Sequence, residues 1–345
     1  MDQITIAVTG INAIDNPAPG VGVAKSLKED TGLNARVVGL SYDAMEPGNF
    51  LTDKFDKAYL MPYPSGDPTS YLDRLLYIKN SYGLDFIIPT LDLEIPLFIK
   101  IQPELEAAGI GVVLPTLEQF KLRGKDQLEP LAKALGIELP ETKVITSEKE
   151  LQDSIEELEL PLMVKGVYYK AKYCATAQAA HQAYHGLVAE WGFPIIVQKV
   201  VAGDEVNLIG VGDGEGGSLG MVAIKKTGVT ELGKIWTGVT INHPKILAAA
   251  EAFLKKYQWQ GPFELECLQD KDDFYLIEIN PRFPAWSYFA TGVGINLPSN
   301  MVRHALKKEH DSNKSYEAGK LFVRYVEEII LDLDILQQIT TQGER

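Results

Sequence analysis

The chain has 345 residues, 46% of them hydrophobic and 23% charged, which excludes a disordered chain, a collagen and a mini-protein scaffold. Its two cysteines, Cys174 and Cys267, are too few for a disulfide framework or a zinc module and indicate a reducing compartment. A net charge of -14, from 33 basic and 47 acidic residues, argues against general affinity for nucleic acid or anionic lipid and leaves room only for a local basic site.

The first ten residues, MDQITIAVTG, lack the basic-then-apolar order of a signal peptide. The sequence also contains no uncharged apolar run long enough to cross a bilayer. We therefore expect a cytoplasmic protein whose partners are small molecules, without a nucleic-acid or membrane partner. The composition does not specify the oligomeric state, so a homodimer stays open.

Residues 1–115 alternate short apolar runs with segments of helical spacing. The predicted strands are the apolar runs at 4–9, 35–40, 58–61, 86–89 and 111–114. The predicted helices lie between them, at 21–29, 71–82 and 95–108. Strands and helices in alternation are typical of βαβ units, so we expect an α/β domain with an open, parallel, Rossmann-like sheet.

The rest of the chain predicts two α+β units with antiparallel sheets, at 116–197 and 198–345. In the middle unit helices are expected at 118–135, 147–158 and 176–191, and strands at 143–145, 161–165 and 195–200. In the last unit a helix is expected at 244–257, and strands joined by tight turns at 205–211, 219–226, 263–268 and 274–279.

The last predicted hairpin concentrates oxygen-bearing side chains. Alternation along its strands puts Glu264 and Glu266 on one face, with Glu278 and Asn280 on one face of the partner strand. Facing carboxylates in an apolar hairpin repel each other unless a cation neutralises them, and oxygen ligands without His or Cys suit Mg²⁺. Arg282 follows at a position suited to a phosphoryl or carboxylate group. An exposed acidic hairpin is the alternative, but the apolar neighbours of Glu278 favour a buried strand.

With Glu266, Glu278, Asn280 and Arg282 at this spacing, the sequence resembles the ATP-grasp superfamily, in particular the branch of biotin carboxylase and the large subunit of carbamoyl phosphate synthetase. The resemblance extends over nearly the whole chain. It implies a pre-ATP-grasp domain followed by a two-part ATP-grasp fold. It also implies that Glu266, Glu278 and Asn280 hold Mg²⁺, or Mn²⁺, at the phosphates of ATP.

The resemblance assigns nucleotide-binding roles to further residues. Lys125, in RGKDQ, and Lys165, at the end of a strand, would bind the phosphates, unless they are ordinary surface lysines. The residues assigned to adenine and ribose are Gln198, the backbone of Lys199, Val200 and Val201, and Glu205. Lys225 and Lys226 alternate along a strand, so one of them should point toward the γ-phosphate.

The segment GVYYKAKYCAT departs from the glycine-rich loop that the family folds over the phosphates. Two interpretations stay open for Tyr169, Lys170 and Lys172. Their side chains bind the phosphates where glycine amides normally do so, or the segment is a mobile flap that meets substrate.

Candidate substrate residues lie on both sides of the acidic hairpin. Asp92 and Glu94 follow a strand and match an acidic turn of the family's first domain. Trp286 opens an aromatic segment, and Arg303 or Arg324 offers a charge for a substrate carboxylate, unless each forms a surface pair with the acids at 327 and 328.

Two weaker features complete the sequence. His181 and His185 are four residues apart on a predicted helix, but no carboxylate or thiol stands at a suitable spacing, so a solvated face is the preferred interpretation. Gly20 and Gly22, at a helix start, offer free amides for an anion.

The reaction that the resemblance implies joins a carboxylate to an amine or another nucleophile. ATP phosphorylates the carboxylate, and the nucleophile then displaces phosphate from the acylphosphate, with Arg282 and Lys226 assigned to catalysis. Positioning and charge neutralisation would lower the barrier. We expect an amino acid, a small peptide or a related small carboxylic acid as substrate. A carboxylase that activates bicarbonate and a non-catalytic ATP-binding regulatory module are the alternatives.

Overall fold

The computed structural model describes residues 3–167, 170–311 and 314–345. The first part of the chain forms a parallel sheet with strands β1 (Ile4–Val8), β2 (Ala35–Ser41), β3 (Lys57–Leu60), β4 (Phe86–Ile88) and β5 (Gly111–Val112). Its helices are α1 (Pro19–Glu29), α2 (Pro68–Tyr82) and α3 (Ile95–Ala107). The strand order β3-β2-β1-β4-β5 confirms the predicted open, Rossmann-like α/β sheet.

Strand β1 is buried on both of its faces, which explains why its sequence is continuously apolar. Ile6 and Val8 belong to the core that also contains α1, whereas Ala7 points to the core formed with α2 and α3. Period-two alternation thus distributes one short strand between two layers of helices.

The middle part forms an antiparallel sheet in the order β6-β9-β7-β8. Its strands are β6 (Thr142–Ile145), β7 (Leu162–Gly166), β8 (Ala171–Cys174) and β9 (Ile195–Lys199). The helices of this part are α4 (Leu117–Lys121), α5 (Leu128–Leu135), α6 (Glu148–Leu158) and α7 (Ala177–Trp191). Ser147 and Glu150 form the predicted capping box at the start of α6.

The last part forms an antiparallel sheet in the order β14-β13-β10-β11-β12-β15. Its strands are β10 (Asp204–Asp213), β11 (Ser218–Val229), β12 (Ile235–Ile241), β13 (Gln260–Asp270), β14 (Asp273–Asn280) and β15 (Leu321–Val323). The helices are α8 (Pro244–Tyr257), α9 (Ser287–Gly292), α10 (Leu297–Ala305) and α11 (Leu333–Gln342). The sequence did not predict β12, β15, α9, α10 or α11. The two antiparallel sheets confirm the predicted fold class.

A shared core joins the parallel sheet to the last sheet. Ile6, Val8 and Val23 are buried in one cluster with Ile209 and Phe283. The end of the chain also returns to the first sheet, where residues 343–345 exchange backbone hydrogen bonds with β3. The proposed division at 115 and 197 stays a prediction, and the second boundary falls inside β9.

No helix that the structure describes combines the length and the apolar character that crossing a bilayer requires.

Gly20 lies where α1 starts against the end of β1. Its amide donates to the carbonyl of Gly10 at 2.9 Å, so the expectation of a free amide for an anion was wrong at this residue. A Cβ at Gly20 would lie 2.1 Å from the carbonyl oxygen of Thr9. The contact is with backbone, which cannot swing away as a side chain can.

We expect Gly20→Ala to lower the free energy of unfolding by about 1–3 kcal/mol, because the added methyl group overpacks this junction. Gly186→Ala is the matched control, since a Cβ there meets nothing within 4 Å on the exposed face of α7. The control should be neutral or more stable by up to ~1 kcal/mol, because alanine favours helix. Urea denaturation of both variants makes the comparison, and equal destabilisation would contradict the junction argument.

Candidate functional site

A cleft of about 690 Å³ lies between the parallel sheet and the last sheet. Residues 12–19 after β1 and residues 90–92 after β4 form one wall, at the carboxyl ends of the parallel strands, where open α/β sheets bind ligands. The residues predicted for the site that line this cleft are Asp92, Lys125, Lys170, Lys226, Glu266, Glu278, Arg282 and Trp286.

The opposite wall is set by the register of three neighbouring strands. Glu266 on β13 stands opposite Glu278 on β14 and opposite Asn207 on β10. Two residues before Glu266 on β13, Glu264 stands opposite Asn280. This register brings together the four oxygen-bearing residues expected on one face of the hairpin.

Two lysines neutralise the paired carboxylates. Lys125 Nζ lies 3.0 Å from Glu278 Oε1, and Lys226 Nζ lies 3.1 Å from Glu266 Oε2 and 2.7 Å from Glu205 Oε2. Burial disfavours the charge on Lys226, but Glu266 and Glu205 outweigh it and raise the pKa of Lys226. Lys226 is therefore the lysine of the pair 225–226 that faces the cleft.

Glu264 is fully buried beside Glu266 and accepts hydrogen bonds from neutral donors only. These are Asn207 Nδ2 at 2.7 Å, Asn280 Nδ2 at 2.9 Å and Trp286 Nε1 at 2.6 Å. Burial, and then repulsion by Glu266, raises the pKa of Glu264 to about 7. Asn207 was missed by sequence reasoning, because its place opposite Glu266 follows only from the register of β10 and β13.

The donor set of this wall fits a hard divalent cation. Glu266, Glu278 and Asn280 offer carboxylate and amide oxygens, the ligands that Mg²⁺ prefers. Asn207 Oδ1 is buried next to them and accepts no hydrogen bond from a described residue. An orphaned acceptor of this kind is satisfied by a cation or by a water molecule that a cation holds.

Asp92 and Arg282 connect the two walls of the cleft. Arg282 Nε lies 3.0 Å from Asp92 Oδ2, and Arg123 Nη1 lies 3.4 Å from Asp92 Oδ1. Burial disfavours the charge on Arg282, but Asp92 and Glu264 raise its pKa. Arg282 Nη2 also donates to Asn280 Oδ1 at 3.1 Å, so its fork is oriented from both sides.

Glu94 does not line the cleft, contrary to its prediction as a substrate residue. It is fully buried and accepts hydrogen bonds from Thr9 Oγ1, from the Tyr42 hydroxyl and from the Leu91 amide. Burial raises the pKa of Glu94 to about 7. Its contacts instead tie the ends of β1 and β2 to the turn that carries Asp92.

Comparison with known proteins gives relatives of low identity and similar fold. The carbamoyl phosphate synthase large chain of Clostridium acetobutylicum is 22% identical over 197 residues, which are 53% of this chain and only 18% of that protein. The biotin carboxylase domain of the Hydrogenobacter thermophilus 2-oxoglutarate carboxylase has a TM-score of 0.66 and 15% identity, over 88% of this chain and 70% of its own. The L-amino acid ligase of Bacillus licheniformis has a TM-score of 0.63 and 16% identity, over 89% and 75%.

A family model matches the last part of the chain. Residues 194–329 match the family described as "ATP-grasp in the biosynthetic pathway with Ter operon". This segment is therefore similar to ATP-grasp proteins, and the fold of the whole chain is similar to that of the structures named above. The matched segment contains the acidic strands β13 and β14, together with Lys226 and Arg282.

Lys165 is buried at the end of β7. Its Nζ donates to Gln198 Oε1 at 2.5 Å, and Gln198 Nε2 donates to Thr142 Oγ1 at 2.8 Å. Burial, and then the nearby charge of Lys125, lowers the pKa of Lys165 to about 8. The side-chain oxygen of Gln198, a residue assigned to adenine and ribose, is thus held by this lysine.

The other predicted nucleotide residues lie along and after β9. Lys199 is exposed, with its Nζ 3.5 Å from Glu141. The Val200 amide donates to the Pro161 carbonyl at 3.4 Å, and Val201 follows half-buried. Glu205 instead contacts Lys226. Adenine and ribose roles for these residues stay predictions.

The wall formed by Glu264, Glu266, Glu278 and Asn280 is called the acidic wall below. Several predicted site residues have partners away from it. Lys225 is ion-paired with Asp204 at 2.6 Å, on the other face of β11 from Lys226. Arg303 Nη2 lies 2.7 Å from Asp30 Oδ1. Its ion pair is therefore with Asp30, and not with a ligand site in the cleft or with the acids at 327 and 328. These placements differ from the prediction because the partner acids come from distant segments.

Residues 171–174 of the predicted flap segment form β8, which pairs with β7. Lys172 is exposed on β8, opposite Val164 of β7. The sequence did not predict β8. Lys170 reaches the cleft lining, and its Nζ contacts both carboxylate oxygens of Glu190 at 2.6 Å. Tyr169 lies outside the described residues.

We expect the affinity for ATP to fall as the pH rises through 8. The pKa of Lys165 is lowered to about 8, and the phosphate that the resemblance assigns to Lys165 would raise it again. ATP binding would then take up a proton in that range, and affinity would be complete only below it. Each pH unit above 8 should weaken binding up to ~10-fold, until the raised pKa is reached. Calorimetric titration with a non-hydrolysable ATP analogue at pH 7 and pH 9 measures this.

Lys165→Arg is the control for this dependence, because a guanidinium stays charged throughout the range. The variant should bind the analogue with nearly equal affinity at both pH values. The same loss of affinity in the variant and the parent protein would show that another group causes it.

Proposed function

We propose that this chain is an ATP-dependent carboxylate–amine ligase that acts through an acylphosphate. A carboxylate oxygen attacks the γ-phosphorus of ATP and releases ADP; the amine nitrogen then attacks the acyl carbon and releases phosphate. The observation that carries the proposal is the pairing of Lys125 with Glu278 and of Lys226 with Glu266 in a cleft that Arg282 also lines.

In this proposal Glu266, Glu278 and Asn280 hold Mg²⁺, which when bound neutralises phosphate charge. The residues of the chain position the reactants. Lys125 and Lys226 supply positive charge for the phosphates from two sides of the acidic wall. Arg282, oriented by Asp92, supplies fixed hydrogen-bond donors for the charge that develops on the transferred phosphoryl group.

Two carboxylates without an ion pair support an amine as the second substrate. Asp15 lines the cleft and accepts a hydrogen bond from the Thr230 hydroxyl, and Glu264 is held by neutral donors. Neither carboxylate forms an ion pair with any residue that the structure describes. Unpaired carboxylates favour a cationic ligand, such as the ammonium form of an amine, over bicarbonate.

Arg324 supports a carboxylate as the first substrate. Its guanidinium donates to the backbone carbonyls of Pro17 and Ala285, and Ala285 lines the cleft. It has no ion pair within the described part of the chain, and burial lowers its pKa to about 10. A guanidinium with only neutral partners suits a substrate carboxylate, such as that of an amino acid, a small peptide or a related acid.

Release of ADP on mixing the protein with ATP, Mg²⁺ and pooled substrates tests the proposal. We expect turnover only when a small carboxylic acid and an amine are both present, and hydroxylamine should trap the acylphosphate when it replaces the amine. Turnover with bicarbonate alone would identify a carboxylase. Binding of ATP without turnover in any pool would identify a regulatory module.

Glu278→Gln links this activity to the acidic wall. We expect it to lower kcat at least ~100-fold, because a carboxylate that is proposed to hold Mg²⁺ at the reacting phosphates is lost. Glu157→Gln is the matched control, since Glu157 forms an exposed ion pair with Lys143 on the middle sheet.

Arg324→Ala tests the carboxylate site. We expect the KM for the acid to rise ~10-fold or more, with the KM for ATP unchanged, because one charge-assisted hydrogen-bonding group is lost. Lys320→Ala, which removes an exposed pair with Glu317 in the same segment, should change neither constant. Equal changes in both KM values for Arg324→Ala would contradict a role confined to the acid.

A further inference from the structure

We propose that Glu148, His181 and His185, on helices α6 and α7, form a binding site for a transition-metal ion of the Zn²⁺ type. Glu148 Oε1 lies 3.2 Å from His181 Nδ1 and 3.3 Å from His185 Nε2. All three ligand atoms lie within 4.8 Å of one another. The site is separate from the cleft and does not depend on the proposed ligase activity.

The spacing of the ligand atoms matches a tetrahedral ion. Ligands at 2.0–2.2 Å from a zinc ion are about 3.3 Å apart along a tetrahedral edge. Both contacts to Glu148 already have this length. An ion therefore needs only small side-chain rotations to bind, and water completes its coordination.

Two helices hold the ligands in place. His181 and His185 are one turn apart on the same face of α7. Glu148 is the first residue of α6, whose start is held by the capping box of Ser147 and Glu150. Because both helices pack on one hydrophobic core, the approach of the carboxylate to the imidazoles is built into the fold.

Ligand chemistry distinguishes this site from the acidic wall of the cleft. Two imidazole nitrogens with one carboxylate suit Zn²⁺ and its neighbours in the transition series, whereas Mg²⁺ prefers oxygen ligands alone. The three side chains are partly exposed, so an ion can enter from solvent. The interpretation of the histidines as a solvated face missed Glu148, which lies 33 and 37 residues away in sequence.

Titration of the full chain with ZnCl₂, in excess MgCl₂ and without nucleotide, tests the site by calorimetry. We expect one Zn²⁺ per chain at this site. Each of three variants should bind Zn²⁺ at least ~10–100-fold more weakly: His181→Ala, His185→Ala and Glu148→Gln. Loss of a residue that only supports a metal ligand already has an effect of this size. Zn²⁺ should also raise the melting temperature of the parent protein but not of the His181→Ala variant.

His304→Ala is the matched control, because His304 is an exposed histidine whose Nδ1 lies 3.2 Å from another imidazole, that of His310. It should bind Zn²⁺ as the parent protein does. Absence of Zn²⁺ binding by the parent protein would overturn the proposal. So would equal binding by the parent and the His181→Ala/His185→Ala double variant, or loss of binding in His304→Ala alone.

Discussion

Like charges on adjacent strands are the constraint on which the cleft depends. The register of β13 and β14 places Glu266 opposite Glu278, and Glu264 lies two residues from Glu266 on β13. Carboxylates brought together in a sheet interior are unfavourable unless positive groups and hydrogen-bond donors surround them. Lys125 and Lys226 approach from other segments to meet that need. Electrostatic compensation and the proposed phosphate chemistry therefore use the same lysines.

The same logic extends across the boundary between sheets. Arg282 follows β14, while its partner Asp92 follows β4 of the parallel sheet. Asp92 lies on a turn that also carries the buried Glu94. Glu94 holds this turn in place by accepting hydrogen bonds from Thr9 and Tyr42. Because a shared hydrophobic core fixes the two sheets against each other, these ionic contacts have a defined geometry. The parallel sheet is thus a folding unit of the chain and also forms one wall of the site.

Elements whose signal is local were predictable. The strands of the parallel sheet are buried on both faces and therefore read as apolar runs, and the start of α6 carries its own capping box. Strand β8 was not predictable, because its residues 171–173 are exposed and only pairing with β7 makes the segment a strand. Strand β15 is three residues long and partly exposed, and it exists only through its hydrogen bonds to β12.

The sequence by itself determined the fold class and the acidic hairpin, since alternation and burial are properties of neighbouring residues. The resemblance to a known family also singled out Lys125, although that lysine lies 153 residues from its partner Glu278. Only the tertiary structure decided that Lys226 rather than Lys225 faces the cleft, that Arg303 is held by Asp30, and that Glu148 completes a cluster with two histidines. Each of these depends on which distant segment supplies the partner, and chain packing alone sets that.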